Sequence, residues 1–266
     1  MKQNKFKIYG KFFTINLKTQ LQYKGSFVMM FFGQFLTAFS GFMMIYFLFD
    51  RFNAVKDFSL NEVLLCYSVS HISFSLSEVC VRGFDAFGST VRTGDFDRIL
   101  LRPGSTIFLI LCSKMDFTRL AKALNGVIIM IFAVINAGII WDGMKIFTLV
   151  LMVLCGMALY SALFFIYAAL CFYTTQGLEV MNIFTDGGRE FGQYPLSVYG
   201  ENVLKFLTFV VPMALFQYYP FLYLTGRVNS MVYCFLPLGT LPFMIPAYII
   251  WRVGLKHYKS TGSLKK

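Results

Sequence analysis

The side chains best placed for chemistry are three polar residues in one apolar stretch, His71, Ser75 and Glu78. Spacings of four and seven put them on one face of a helix. An imidazole and a carboxylate on one face are suited to proton transfer, or to lining a path for a polar substrate. Interhelical hydrogen bonding is the simpler interpretation, because polar side chains commonly join helices inside membranes.

A second polar stretch, 93–103, stands between long apolar segments. Asp95 is placed to cap a short helix over 95–102, and Pro103 to end it. Its charged residues are Asp95, Asp97, Arg98 and Arg102.

The same predicted helix has an apolar ridge. Phe96, Ile99 and Leu100 follow the i, i+3, i+4 spacing, with Asp97 and Arg98 beside them. A ridge of this kind predicts docking into a groove on a soluble partner. The alternative is an interfacial helix whose ridge packs on lipid.

Signatures of common enzymes are missing from the sequence. It has no serine-hydrolase elbow, zinc-protease motif or glycine-rich phosphate loop. The six cysteines are scattered without a CxxC pair, which favours buried apolar roles over disulfides or metal binding. We therefore expect no metal and no cofactor in this chain, and any ATP hydrolysis on another chain.

The composition is that of a membrane protein. Hydrophobic residues make up 57% of the chain and charged residues 14%, a balance that suits a lipid environment. The net charge of +11 would indicate nucleic acid in a soluble protein. Here the basic residues lie at the ends of apolar runs, so we expect contact with anionic lipid and none with nucleic acid.

A membrane-crossing helix needs about 20 apolar residues, and the chain offers enough for an all-α polytopic fold in one transmembrane domain. The clearest candidates are 26–49, 60–80, 119–140, 146–173 and 231–251. Prolines at 237, 242 and 246 predict a bent last span.

The fifth span is ambiguous. Hydropathy favours 203–224, although Pro212 and Pro220 interrupt it, and leaves the charged stretch before it as a loop. The alternative makes 175–194 a polar fifth span, with 200–224 dipping back into the membrane. Asp186 and Arg189 would then lie at membrane depth, where ionisable groups must pair or face a polar lumen.

Lysines and arginines concentrate in the first 25 residues, in 81–118 and in 252–266. The positive-inside rule therefore predicts that both termini are cytoplasmic. Residues 5–24 also carry Phe6, Tyr9, Phe13 and Leu17 at helical spacing. This pattern predicts an amphipathic helix lying on the inner leaflet, a disordered basic tail being the alternative.

Two blocks of sequence resemble a branch of the ABC transporter type 2 permeases. The first is GDFDRILLRPGS at 94–105, which is similar to that branch's cytoplasmic signature. The second comprises YPLSVY at 194–199, LTFVVP at 207–212 and the Tyr219–Pro220 pair, similar to its C-terminal pattern. The order of the blocks and the six-span layout extend the resemblance over nearly the whole chain.

The resemblance implies a bacterial plasma-membrane exporter subunit that works in a dimer, with a heterodimer favoured over a homodimer. It also implies a separate ATPase that carries ATP and Mg²⁺. The 95–102 helix, with Pro103, would be the coupling helix that enters the ATPase, and its apolar ridge the contact. The resemblance favours 175–194 as the fifth span and 200–224 as re-entrant.

Two other functions stay open at this stage. An intramembrane lipid-modifying enzyme would use His71 and Glu78 as acid and base, but it would need a carboxylate pair or a metal cluster. A secondary transporter would show internal repeats, which the two halves of the sequence do not share convincingly.

Overall fold

The computed structural model describes residues 5–52, 55, 57–174 and 179–258, and these are predominantly helical. Five helical segments in them are long and apolar enough to cross a membrane, and a bent pair of helices makes a sixth candidate. The predicted all-α polytopic fold is therefore confirmed. The side chain of Phe6 and the basic residues after 258 lie outside the described residues.

The first two helices are α1 (Lys5–Leu21) and α2 (Lys24–Phe52). α1 lies beside the 112–117 segment, where the side-chain amides of Asn16 and Gln20 donate to the carbonyls of Cys112 (3.3 Å) and Met115 (2.5 Å). These bonds attach the predicted interfacial helix to the rest of the chain. Its position on the inner leaflet stays a prediction.

The central helix is α3 (Leu60–Asp85). It begins with a capping box, in which the Ser59 hydroxyl accepts from the Glu62 amide (3.4 Å) and the Glu62 carboxylate accepts from the Ser59 amide (2.8 Å). Nearly all of α3 is buried, because it packs against both α7 (Leu120–Asn136) and α8 (Gly143–Leu170). The polar residues of α3 therefore face protein rather than lipid.

Three short helices connect α3 to α7. They are α4 (Phe87–Arg92), α5 (Asp95–Leu100) and α6 (Thr106–Ser113), followed by a 3₁₀ turn over Phe117–Arg119.

The 175–194 stretch does not form one continuous helix in the part that the structure describes, and its role as the fifth span stays a prediction. That part holds α9 (Glu179–Asn182), of four residues, and α10 (Asp186–Phe191), of six. Each is far shorter than the ~20 residues that a bilayer requires. The break between them falls at residues 183–185, and glycines 187 and 188 lie inside α10. Residues 175–178 and the side chain of Glu179 lie outside the described residues.

The 200–224 region is broken in the middle. α11 (Glu201–Phe209) meets α12 (Met213–Phe216) and α13 (Tyr218–Leu224) at a bend of 89°. Pro212 stands directly before α12, where it has no amide to continue the first helix. A re-entrant segment and a broken span both fit this geometry, and the depth in the membrane stays a prediction.

The last span is also interrupted. α14 (Val232–Phe235) and α15 (Met244–His257) are joined by an eight-residue 3₁₀ stretch, Leu236–Phe243. Pro237 and Pro242 lie in that stretch and cannot donate the amide bonds of an α-helix. Pro246 is tolerated because it falls in the first turn of α15.

An aromatic cluster closes the end of the bundle where α3, α8 and α15 meet the connecting helices. We define it as Phe84, Phe87, Phe96, Phe165, Phe172, Trp251 and Tyr258. The Trp251 indole is buried, and its ring centroid lies 4.9–6.0 Å from those of Phe172, Phe165, Phe87 and Phe84.

α6 lies directly against α3 at Gly83. A Cβ atom added to Gly83 would lie 2.0 Å from the backbone oxygen of Ile110, which cannot move away as a side chain could. The position therefore requires glycine if α6 is to stay in place.

We expect Gly83→Ala to lower the Tm of the purified protein by about 2–12 °C, because overpacking against backbone costs about 1–3 kcal/mol and each kcal/mol lowers the Tm of a chain of this size by about 2–4 °C. Gly10→Ala in α1 is the matched control, since its Cβ would meet nothing within 4 Å. Thermal unfolding of both variants in one detergent is the measurement. Equal Tm values for the two variants would show that α6 is not held this closely.

Candidate functional site

The short helix predicted over 95–102 is present as α5, but its ends differ from the prediction. Gly94 is the N-cap residue, with φ 77° in the left-handed region, and Asp95 is the first helical residue. The Asp95 carboxylate instead accepts from the Thr93 hydroxyl at 2.8 Å. α5 also ends at Leu100, before Pro103. The sequence could have predicted this cap from Gly94, because glycine adopts positive φ without strain.

The apolar ridge of α5 faces its own protein. Phe96 is fully buried in the aromatic cluster, with ring centroids 4.9 Å from Tyr258, 5.0 Å from Phe87 and 5.5 Å from Phe172. Ile99 is buried as well. The prediction that the whole ridge is free to contact a partner is therefore wrong, because the aromatic cluster already uses it.

A different face of α5 is open to a partner. Leu101 is 86% exposed and Leu100 is 41% exposed. The Arg98 and Asp95 side chains, also exposed, lie 3.6 Å apart as an ion pair. With Arg102 and Pro103 they form a surface that we call the exposed α5 face: Asp95, Arg98, Leu100, Leu101, Arg102 and Pro103. Asp97 points the other way and accepts from the Tyr258 hydroxyl at 2.9 Å.

Glu78 is the centre of a buried ionic cluster. Its carboxylate lies 3.2 Å from Arg119, 3.4 Å from Lys122 and 3.7 Å from Arg82. Glu78 and Lys122 are both almost fully buried. Three cations on one carboxylate compensate its burial and join α3 to the start of α7. Because these cations engage both oxygens, Glu78 is a poor candidate for an acid or base in catalysis.

The cluster continues through Arg119. Its guanidinium lies 3.3 Å from the Asp116 carboxylate and donates to the Gln34 side-chain oxygen on α2 at 3.3 Å. Burial alone would raise the pKa of Asp116, but hydrogen bonds from Thr118 and the charge of Arg119 outweigh it and lower that pKa. The ionic cluster thus connects α2, α3 and α7.

Ser75 and His71 do not join Glu78 in a catalytic group. The Ser75 hydroxyl donates to the backbone oxygen of His71 at 2.7 Å, so it is satisfied within α3. The His71 ring is buried and stacks on Tyr67 at 4.9 Å. Within the described part of the chain, neither ring nitrogen of His71 has a hydrogen-bond partner. The prediction of interhelical hydrogen bonding applies better to Ser73, whose hydroxyl donates to the backbone oxygen of Val153 on α8 at 3.1 Å.

Asp186 and Arg189 belong to α10 and face different surroundings. Arg189 is mostly buried, pairs with Glu190, and places its guanidinium 5.4 Å from the centroid of the Phe74 ring on α3. Asp186 is exposed. The structure therefore packs Arg189 onto the central helix and leaves Asp186 at the protein surface.

The described residues contain no group of three or more histidine, cysteine or acidic side chains arranged to hold a metal ion.

A family model described as ABC-2 family transporter protein matches residues 35–262, which is most of the chain. The chain belongs to the ABC-2 transporter family. It is an ABC transporter permease, a multi-pass membrane protein and a transport subunit rather than an enzyme. Searches of curated proteins and of solved structures found no match.

Sequence reasoning missed the partners of Glu78 and the face of α5 that is exposed. Arg119 and Lys122 were readable as a basic pair, three residues apart, at the start of an apolar span. Two cations on one turn at that depth indicate an acidic partner. The burial of Phe96 had no local signal, since Tyr258 and Trp251 lie more than 150 residues away in sequence.

We expect Glu78→Gln to destabilise the permease by about 3–5 kcal/mol, because it leaves buried cations uncompensated. Adding Lys122→Met should recover part of this loss. Glu201→Gln is the control, since Glu201 forms an exposed pair with Lys205 (2.7 Å) that contributes about 0–1 kcal/mol. Thermal unfolding of the four variants, with Lys122→Met alone completing the cycle, measures the coupling. Additive effects of the two substitutions would contradict a shared ionic cluster.

We expect Phe96→Ala to lower stability by about 3–5 kcal/mol, as truncation of a buried phenylalanine does. Leu101→Ala, at the exposed C-terminal end of the same short helix, should change stability by about 0.5 kcal/mol or less. Both are measured as shifts in thermal unfolding. Similar shifts for the two would mean that α5 does not pack through Phe96.

Proposed function

We propose that this permease is the membrane subunit of an ATP-driven exporter and that it couples to a separate ATPase through the exposed α5 face. The observation that carries the proposal is the division of α5 into two faces. One face joins the bundle through the aromatic cluster, and the other presents Leu101 and two arginines outward.

The aromatic cluster supports the coupling role because it joins α5 to several spans. Phe96 contacts Phe172 at the end of α8, and Phe172 contacts Trp251 on α15. Phe87 and Phe84 connect the same rings to α3 and α4. A displacement of α5 is therefore transmitted to three spans through packed rings, which deform little. ATP and Mg²⁺ would bind the partner ATPase.

The assembly that we propose is a dimer of permeases in a bacterial plasma membrane. Both termini of each permease lie in the cytoplasm. We favour a sister permease over a second copy of this chain as the other subunit. α2 supports a membrane-embedded contact, since Met29, Phe32, Met44 and Phe47 are exposed along it. Lipid alone would also cover these side chains. The export direction rests on the resemblance of the 94–105 signature.

For the pathway, the geometry leaves His71 as the stronger candidate among the polar residues of α3. Glu78 and Ser75 already have partners within the fold, whereas the imidazole nitrogens of His71 have none among the described residues. Arg189 is adjacent to the same helix through Phe74. We propose that His71 and Arg189 contribute polarity to the pathway and that Glu78 holds its wall together.

The coupling proposal is tested by Leu101→Asp in the permease co-expressed with the ABC ATPase encoded beside it. We expect loss of co-purification and loss of permease-stimulated ATP hydrolysis, because a charge replaces an apolar contact, with an unchanged Tm.

Ile140→Asp is the matched control, since Ile140 is also 86% exposed but lies in the connection between α7 and α8. Retention of the ATPase by Leu101→Asp, or equal loss with Ile140→Asp, would overturn the coupling role of the exposed α5 face.

A further inference from the structure

A cavity of about 460 Å³ lies between α1, α5 and α6. Its apolar wall includes Phe12 and Ile15 of α1 and Leu109 of α6. Its polar wall includes Arg98, Arg102 and Lys114, with Asp95 as the one acidic side chain among the lining residues. We infer that this cavity binds the headgroup and upper acyl chain of an anionic phospholipid.

The positive charge of the side chains that line the cavity favours an anionic headgroup. Three cations and one carboxylate line the cavity, and Asp95 is already paired with Arg98 at 3.6 Å. Arg102 and Lys114 are both exposed, and they lie in the loop before α6 and directly after α6. Arginine and lysine side chains that line the same cavity suit a phosphate group, because both donate hydrogen bonds to its oxygens.

The apolar wall selects a lipid over a free anion. Ile15 is 60% exposed, and with Phe12 it gives α1 an apolar surface that ends beside the cations. A phosphodiester with an attached acyl chain matches this combination, whereas inorganic phosphate would use the cations alone. The inference rests on the interfacial placement of α1, which sets the cavity at headgroup level.

The walls are held in place before any lipid binds. α1 is attached by the bonds of Asn16 and Gln20, and the Phe13 ring stacks edge-on against Phe117 at 4.8 Å. The α5 wall is fixed by the burial of Phe96 and Ile99. A preformed site of this kind binds without first ordering its own chain. A bound lipid would brace α5 against α1.

The test measures lipid retained by the full-length permease in detergent, using native mass spectrometry during titration with phosphatidylglycerol, phosphatidylcholine or inorganic phosphate. We expect Arg102→Gln/Lys114→Gln to weaken phosphatidylglycerol retention about thirtyfold, which corresponds to about 2 kcal/mol at 1.4 kcal/mol per tenfold. Both residues are exposed, so the variant should keep the wild-type Tm.

Two controls separate the sources of binding. Lys18→Gln/Lys256→Gln removes the same charge from exposed positions that do not line the cavity and should leave retention unchanged. Ile15→Trp should reduce phosphatidylglycerol retention by filling the apolar wall, whereas Ile131→Trp on α7 should not.

Equal losses of phosphatidylglycerol retention in the two double variants would overturn the inference. Retention of phosphatidylcholine equal to that of phosphatidylglycerol would overturn it as well. A third such result is displacement of phosphatidylglycerol by millimolar phosphate, together with retention by Ile15→Trp that equals the wild type. The test needs no ATPase. Asp95, Arg98 and Arg102 belong both to the cavity and to the exposed α5 face, but Leu101, on which the coupling test depends, does not line the cavity. Failure of the lipid test would therefore leave the coupling proposal standing.

Discussion

The rest of the structure depends on the packing of aromatic rings around Trp251. These rings come from the ends of α3, α8 and α15 and from two of the short connecting helices. In water such an arrangement would serve as the core of a small domain. Here it occupies the end of a membrane bundle, where the hydrophobic effect becomes available again because the neighbouring loops meet solvent. Ring contacts of about 5–6 Å make the junction stiff and specific.

Polar groups hold α3 along the rest of its length. α3 carries serines at close intervals, and several hydroxyls return to carbonyls one turn earlier on the same helix. Small side chains of this kind allow α7 and α8 to approach closely while leaving few polar groups unsatisfied. Glu78 then adds an electrostatic attachment to α7 that lipid could not replace. The central helix is thus held by rings at one end and by charge further along.

The sequence predicted the elements whose signals are local. Continuous apolar runs predicted the long helices. The 94–103 stretch predicted α5, because it has a short helical pattern with turn-forming residues, Gly94 and Pro103, at its two ends. The orientation of α5 could not be predicted, since the rings that bury Phe96 come from α8 and from residues near 258. The position of the fifth span could not be settled from the sequence, for a different reason. A charged, glycine-containing stretch has no clear hydropathy pattern, and Pro212 imposes a bend whose angle depends on tertiary contacts. The partners of Glu78 were similarly out of reach, because ion pairs between helices depend on rotation about their axes.

The 3₁₀ stretch in the last span has a mechanical consequence. Leu236–Phe243 contains two prolines, so two of its residues have no amide to donate to the hydrogen bonds that stiffen an α-helix. α3, by contrast, is continuous in its hydrogen bonding except near Val81, and neighbours surround it. The permease therefore combines a stiff helix, α3, with a more compliant last span, and Phe84 of α3 contacts Trp251 of that span. A force applied at this contact would displace the stiff helix as a unit and would bend the compliant span. The two sides of the bundle would then move by unequal amounts.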